Sequence, residues 1–158
     1  MEYSSIDSFG RAAVNRFIAE RWYTTEMALR GELVDMTGVD GIVAHEGSEI
    51  LGLLTYRAFG DALEILSLDS VLEGHGVGSW LIELAKARAV ESGLDRLLLI
   101  TTNDNIEAIK FYQKRGFDML ALHRNALDES RALKPEIPLT GEHGIPLQHE
   151  IEFEMILE

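Results

Sequence analysis

Hydrophobic residues recur at helical spacing in the N-terminal part of the chain. Over residues 8–22 the apolar positions stand three or four apart, and Ser8 stands where a helix N-cap belongs, so this segment predicts an α-helix. A second, shorter helix is predicted over residues 25–34. The pattern then changes to two short apolar runs, 41–44 and 50–57, and the polar stretch between them predicts a β-hairpin.

Strands and helices alternate in the middle of the chain. Short apolar runs predict strands, and longer stretches of helix-forming residues that end at a glycine predict helices. The predicted strands cover residues 62–70, 96–101 and 117–122, and the predicted helices cover residues 79–91 and 106–115. The order of these elements predicts an α/β (α+β) fold with one domain over residues 1–158. Its mixed sheet is expected to have six or seven strands, with helices on both faces.

The C-terminal part combines an irregular segment with one clear strand. Residues 128–146 contain prolines and glycines without periodicity, which predicts a long, mobile connection. From residue 150 onward, glutamates alternate with apolar residues, which predicts a half-buried strand. Glu150, Glu152 and Glu154 are expected on the solvated face of this strand. Attraction of a cationic acceptor by that face is left open.

Composition narrows the possible function classes. The 158 residues include 27 acidic and 14 basic side chains, a formal net charge of −13, and no cysteine. A disulfide framework, a thiolate metal site and a cysteine nucleophile are therefore excluded, and no basic patch suits a nucleic acid. No apolar run approaches the ~18 residues of a membrane-spanning helix, and the polar N-terminus is unlike a signal peptide. We expect a cytoplasmic protein without a nucleic-acid or membrane partner, and a homodimer is left open.

A glycine-rich stretch precedes the predicted helix at residues 79–91. Gly74, Gly76 and Gly78 let backbone N–H groups approach an anion, and the helix start adds unpaired donors and a positive dipole end. These features predict a cradle for phosphate or pyrophosphate, although a tight turn whose glycines only permit close packing is an alternative. The dinucleotide pattern G-x-G-x-x-G fails, because its third glycine would be Ser79 if the pattern began at Gly74 and Leu81 if it began at Gly76. The P-loop pattern also fails, because no lysine followed by serine or threonine comes after the glycines.

The predicted helix at residues 106–115 carries a second candidate site. Asn105, Ala108 and Tyr112 lie on one face, because residues seven apart are separated by about 10 Å along the same side of a helix. An amide and a phenol placed in this way could hold a linear ligand. Taken alone, a helix cap and an ordinary half-buried tyrosine explain the same residues better.

Together the two segments resemble the GNAT superfamily of acetyl-CoA-dependent N-acetyltransferases. The family's loop pattern, Q/R-x-x-G-x-G/A, is matched up to Gly78, except that Glu73 replaces the usual arginine or glutamine. An acidic side chain there is unfavourable beside a pyrophosphate unless it points away. The family's later pattern, N-x-x-A-I-x-F-Y-x-x-x-G-F, is matched by Asn105, Ala108, Ile109, Phe111, Tyr112, Gly116 and Phe117.

The resemblance covers residues 42–122 well and implies an acyltransferase. Such an enzyme moves the acetyl group of its cosubstrate acetyl-CoA to a primary amine by direct attack, without a metal. The pantetheine arm of CoA would insert between the strands at residues 62–70 and 96–101. The cofactor-binding residues that the resemblance implies are Leu66, Leu68, Ser70, Gly74, His75, Gly76, Val77, Gly78, Ser79, Asn105, Ala108 and Tyr112.

The resemblance also implies catalytic roles. Tyr112 would donate a proton to the leaving thiolate, and a backbone N–H near Leu68 would stabilise the oxyanion. Glu64 or Asp69 would accept the proton of the amine. Alternation along a strand would put these two carboxylates on opposite faces, and the choice between them stays open.

Other function classes and the acceptor also stay open. A non-catalytic protein that binds or senses acyl-CoA would keep the fold, and a nucleotide-binding regulatory domain would bind ATP or NAD instead of CoA. Small amines, polyamines, aminoglycosides, amino acids and protein N-termini are all candidate acceptors. His45, His123, His143 and His149 lack the spacing of metal ligands and are expected to be surface or structural residues.

Overall fold

The computed structural model describes residues 1–158, which form nine strands, five α-helices and one short 3-10 helix. Along the chain these are β1 (Glu2–Ser5), α1 (Ile6–Phe9), α2 (Arg11–Trp22), β2 (Glu26–Leu29), β3 (Glu32–Asp35), β4 (Asp40–Glu46), β5 (Glu49–Phe59), β6 (Ala62–Ser70), α3 (Val77–Glu91), β7 (Arg96–Thr102), α4 (Ile106–Lys114), β8 (Asp118–His123), α5 (Ala126–Leu133), the 3-10 helix Glu142–Gly144 and β9 (Glu150–Ile156). Seven strands form one sheet in the order β1-β4-β5-β6-β7-β9-β8, and β2 pairs with β3 in a separate hairpin. The α/β prediction with a six- to seven-stranded mixed sheet is confirmed. None of the helices has the combination of length and apolar character needed to cross a membrane.

The chain divides into two compact units, of which the first comprises residues 1–25, 35–97 and 156–158. In this unit β1, β4, β5 and β6 pair antiparallel, and α3 packs against β4, β5 and β6. Gly52 on β5 permits this packing, because a Cβ there would lie 2.7 Å from Cγ1 of Val77. The absence of a side chain at this position lets the first turn of α3 lie close to the sheet.

The second unit comprises residues 26–34 and 98–155. Its strands β8 and β9 pair antiparallel, and α5 contacts β2 of the hairpin. Phe153 on β9 is fully buried, and Tyr112 of α4 forms the centre of an aromatic cluster with Phe153 and Phe117. The cluster fixes α4 against one face of β9.

The N-terminal helix prediction is correct for residues 11–22 and wrong at its start. Ser5, not Ser8, is the N-cap of the first helix, and its side chain accepts a hydrogen bond from the Ser8 N–H at 3.2 Å. Gly10 adopts a φ of 138° and separates α1 from α2. The backbone freedom of this glycine interrupts a helix that the apolar spacing predicts to be continuous.

The helix predicted over residues 25–34 is wrong, because this segment forms the β2–β3 hairpin. Its two-residue turn is Arg30-Gly31, with φ of 53° and 75°. Positive φ at both central positions is the geometry that suits the twist of a tight hairpin. Residues 128–146, predicted to be irregular, are irregular only in part, because they include most of α5 and the 3-10 helix.

Candidate active site

The glycine-rich loop ends at the N-terminus of α3. Gly76 caps this helix with a φ of 74°, Gly74 has a φ of 75°, and the helix begins at Val77, two residues earlier than predicted. Gly78 and Ser79 therefore belong to the first turn, where backbone N–H groups have no intrahelical acceptors. No acidic residue lies in that turn. Glu73, Gly74, His75 and Gly76 are exposed, so the loop offers accessible donors to an anion.

Strand β6 contains a bulge that changes which side chains share a face. Thr55 on β5 pairs with Ser67, whereas the next residue of β5 pairs with Ile65, so Leu66 is an extra residue without a partner on β5. A bulge of this kind shifts the alternation of side chains by one position. The bulge occurs within the segment where the resemblance implies contacts with pantetheine.

The expectation that Glu64 and Asp69 lie on opposite faces is wrong because of this bulge. They pair with Arg57 and Leu53, which stand four residues apart on the regular strand β5 and therefore share a face. Ser67 lies between them on the same face, and its hydroxyl is 2.5 Å from that of Thr55. Strict alternation would have given the wrong face for everything beyond Leu66.

Glu64 is an inaccessible ion-pair partner. Its side chain is fully buried, and Oε1 accepts a hydrogen bond from Nε of Arg57 at 2.7 Å. A carboxylate that is buried and paired in this way is not accessible to a ligand.

Asp69 is partly accessible and differently held. Its carboxylate accepts hydrogen bonds from Nε of Arg21 at 3.1 Å and from the indole N–H of Trp22 at 3.2 Å. Burial raises the pKa of Asp69, and the hydrogen bonds from Trp22 and Arg21 oppose that rise. A carboxyl group with a raised pKa is better matched to accepting a proton near neutral pH.

The remaining β6 residues named by the resemblance contribute backbone and one hydroxyl group. Leu68 pairs with Leu54 and Ser70 pairs with Gly52 on β5. The Ser70 hydroxyl donates to the carbonyl oxygen of Leu72 at 2.9 Å, which ties the end of the strand to the start of the glycine loop. These contacts leave the binding roles of Leu66, Leu68 and Ser70 as predictions.

Helix α4 places its three candidate residues, Asn105, Ala108 and Tyr112, in structural contacts. Oδ1 of Asn105, the N-cap, accepts a hydrogen bond from the Ala108 N–H at 3.1 Å. Tyr112 is buried, with its ring centroid 5.4 Å from that of Phe117 and 6.3 Å from that of Phe153. The cap and the buried tyrosine are thus present, and the catalytic role of Tyr112 stays a prediction.

The two residues before Asn105 hold the segment that leads into β9. Oδ1 of Asn103 accepts hydrogen bonds from the N–H groups of Gln148 and His149 at 3.0 and 2.8 Å. Asp104 is buried and accepts the Glu142 N–H at 2.9 Å. Its Cγ would lie 2.6 Å from a Cβ at position 141, so only glycine fits there. Residues 103–105 therefore hold the segment before β9 in place, in addition to capping α4 as the sequence predicts.

The histidines have structural partners. His45 is buried and its ring nitrogens lie 2.9 Å from the Ser4 hydroxyl and from the Gly47 carbonyl oxygen. His149 accepts the Asn125 N–H at 2.9 Å. His143 differs from the expectation in one respect, because its ring and the carboxylates of Glu107 and Glu142 form an exposed group whose possible metal-ligand atoms lie within 4.8 Å of one another.

The exposed face predicted for the glutamates of β9 is wrong for two of the three. Glu150 is 4% exposed and Glu152 is 7% exposed. Glu152 is hydrogen-bonded to Nη2 of Arg30 at 2.5 Å and to Nε2 of His123 at 2.9 Å. Burial alone would raise the pKa of Glu152, but these two hydrogen bonds hold it below its usual value.

Glu150 lines a pocket of about 580 Å³ in the second unit. Burial raises the pKa of Glu150. Arg30, His123 and Arg124 also line the pocket, and none of them was singled out from the sequence as a binding residue. Arg30 could have been identified from the sequence, because Arg30-Gly31 is a two-residue hairpin turn, and this turn brings the arginine to the pocket.

The sequence matches one protein family and is similar to a bacterial relative of nearly the same length. The sequence profile of the acetyltransferase (GNAT) family matches residues 9–117. The uncharacterized protein YdhI of Bacillus subtilis is 42% identical over 143 residues, which cover 90% of this chain and 89% of that protein.

Solved structures share the fold. The IAA acetyltransferase of Bacillus cereus superposes with a TM-score of 0.73 at 21% identity, with 99% of each chain covered. A Bacillus subtilis acetyltransferase in complex with CoA gives a TM-score of 0.64 at 20% identity, covering 92% of this chain and 86% of that one.

Proposed function

Because the chain belongs to the GNAT family of acetyltransferases, we propose that it is an N-acetyltransferase that uses acetyl-CoA to acetylate a primary amine. The observation that carries this proposal is the loop at residues 73–79, whose positive-φ glycines lead into an acid-free helix start. Backbone N–H groups at such a helix start suit the pyrophosphate of CoA. Glu73 is exposed, and the donors of the loop come from its backbone, so its negative charge does not prevent this use.

The proposed reaction is a direct transfer. The free amine nitrogen attacks the carbonyl carbon of the thioester, and a backbone N–H near Leu68 stabilises the resulting oxyanion. The carbon–sulfur bond then breaks, and the sulfur leaves with the bonding electrons and takes a proton from the Tyr112 hydroxyl. Before the attack, the ammonium form of the acceptor loses one proton to a base. After the attack, the nitrogen loses a second proton to solvent, and solvent returns a proton to the tyrosinate.

We assign the base to Asp69 in preference to Glu64. Both carboxylates are ion-paired, Glu64 with Arg57 and Asp69 with Arg21, but Glu64 is fully buried, whereas Asp69 is partly exposed and burial raises its pKa. Both carboxylates share a face of β6, so orientation does not distinguish them, and accessibility does. Water can relay the proton where the amine does not reach the carboxylate.

The test is a thiol-release assay. The protein is mixed with acetyl-CoA and, separately, with a small amine, a polyamine, an aminoglycoside, an amino acid and a peptide with a free N-terminus. We expect free CoA thiol to appear faster than in the amine-free control for at least one acceptor, with one acetylated product per thiol released. CoA binding without thiol release for every acceptor would favour the alternative of a non-catalytic acyl-CoA-binding protein. Binding of ATP or NAD without binding of CoA would contradict both.

A further inference from the structure

The pocket beside β9 is lined by both acidic and basic side chains. It is lined by the hairpin turn at Arg30, by Ile100 of β7, by Leu122 and His123 of β8 and by Glu129 of α5, with Glu150 of β9 among the lining residues. All these residues belong to the second unit. A volume of about 580 Å³ lies within the usual range of small-ligand pockets.

The carboxylates around the pocket are not equally compensated. Glu152 is satisfied by Arg30 and His123, as described above. Glu150 accepts the backbone N–H of Arg30, and it forms no side-chain ion pair, although the nearby charges of His123 and Arg30 act on it. Glu129, which also faces the pocket, forms no ion pair and adds a repulsive negative charge. The pocket therefore contains a buried carboxylate whose charge lacks a direct counter-ion.

An ammonium group in the pocket would compensate the negative charge of Glu150. Burial of Glu150 in a low-dielectric environment penalises its ionised form and raises its pKa, His123 and Arg30 offset only part of that penalty, and the nearby charge of Glu129 adds to it. A ligand cation between the two carboxylates would compensate both and would donate charge-assisted hydrogen bonds, which are stronger than neutral ones.

Arg124 supplies the opposite charge. It lines the same pocket, its side chain is exposed, and its guanidinium makes no hydrogen bond or ion pair with the protein. A guanidinium of this kind pairs readily with a carboxylate through two parallel hydrogen bonds. The lining residues thus offer an acceptor for an ammonium group and a donor for a carboxylate.

We propose that this pocket binds the amine acceptor, and that the acceptor is a small zwitterionic amine of the amino-acid class. Its ammonium group binds Glu150, with Glu129 contributing, and its carboxylate binds Arg124. This inference rests on the proposed function, since it names the acceptor class of the same reaction. It also gives a reason for the burial of Glu150 on a strand whose pattern suggests a solvated face.

The test compares α-amino acids with the amines that lack only their carboxylate. KM is measured for both sets with the wild type, Glu150→Gln and Arg124→Gln. We expect Glu150→Gln to raise KM at least tenfold for both sets, because both present an ammonium group. Arg124→Gln should raise KM at least fivefold for the amino acids alone. CoA affinity, measured by calorimetric titration, should stay within twofold of the wild type.

Matched controls separate recognition from general effects of charge. Glu154→Gln removes a carboxylate from the same strand and Asp128→Asn removes one from the same helix as Glu129, and neither residue lines the pocket. Both variants should leave KM within twofold of the wild type. Circular dichroism checks that Glu150→Gln, which keeps the side-chain shape, is folded.

The outcomes distinguish the two proposals. Acetyl transfer by the wild type with unchanged KM in Glu150→Gln overturns the pocket assignment and leaves the proposed function standing. Absence of transfer to every amine overturns the proposed function, and the pocket is then tested by saturation-transfer NMR with the same amino acids. Binding that is lost in Glu150→Gln supports the pocket, whereas no binding, or binding that Glu150→Gln leaves intact, overturns it.

Discussion

Replacing Gly76 with alanine tests whether the loop binds CoA through its backbone. Gly76 is the N-cap of α3 with a φ of 74°, and a Cβ at this position would have nothing within 4 Å. The substitution therefore introduces no clash, and its whole cost comes from holding an alanine in the left-handed region. That cost is about 1–2 kcal/mol.

The expected loss of affinity follows from the same strain. If the variant relieves the strain by moving φ to a negative value, the loop leaves the conformation that directs its N–H groups at the ligand. The fraction of molecules whose loop can bind CoA then falls. Each 1.4 kcal/mol of strain corresponds to about a tenfold weaker apparent affinity for CoA. We expect the Kd for CoA to rise about fivefold to thirtyfold. The melting temperature should fall by about 2–4 °C for each kcal/mol of strain.

Gly93 provides a matched control at the other end of the same helix. Its φ is 72°, and a Cβ there would also have nothing within 4 Å. Gly93→Ala should lower the melting temperature by a similar amount and leave the Kd for CoA within twofold of the wild type. Calorimetric titration and thermal melts measure both quantities. Equal CoA affinities in the two variants would refute the assignment of the loop as a pyrophosphate cradle.

Three further substitutions test other parts of the account. Tyr112→Phe keeps the ring packing on Phe153 and should lower kcat about a hundredfold, the low end for general acid catalysis, with little change in CoA affinity; full activity with both good and poor acceptors would contradict the role. Glu64→Gln removes the buried partner of Arg57 and should lower the free energy of unfolding in urea by about 3 kcal/mol; a change below about 1 kcal/mol would mean that the pair is not held as described. Glu152 has a lowered pKa in the folded state, so its contribution to stability is present above its unfolded pKa of about 4.3 and is lost as the pH falls through the folded value. The stability gap between the wild type and Glu152→Gln should therefore shrink from about pH 7 to about pH 3, and a gap independent of pH would argue against this pairing.

Elements with one dominant pattern could be predicted from the sequence almost to the residue. Strand β6 has the predicted bounds, β7 is one residue longer, and α3 starts two residues early. The hairpin at residues 26–35 could not be predicted in this way, because Glu, Met, Ala and Leu favour helices and only the Arg30-Gly31 turn indicates otherwise. Here the tertiary contacts outweigh local propensity.

The candidate site was predicted less completely, for two physical reasons. The bulge at Leu66 has no signature in the alternation of residues, yet it decides that Glu64 and Asp69 share a face. The burial of Glu152 depends on a cation 122 positions away in the sequence, Arg30. Long-range ion pairs of this kind leave no local pattern, so the strand suggests a solvated face. The glycine loop, by contrast, carries its signal within six residues.

The central claim is that this chain transfers an acetyl group from CoA to an amine nitrogen. The most direct measurement uses acetyl-CoA with an isotopically labelled acetyl group and follows both the free thiol and the label by mass spectrometry. The account predicts that the label appears on the nitrogen of an amine acceptor, with one thiol released for each labelled product. If CoA binds and the label stays on CoA with every amine class tested, the protein binds acyl-CoA without transferring the acetyl group, and the claim is wrong.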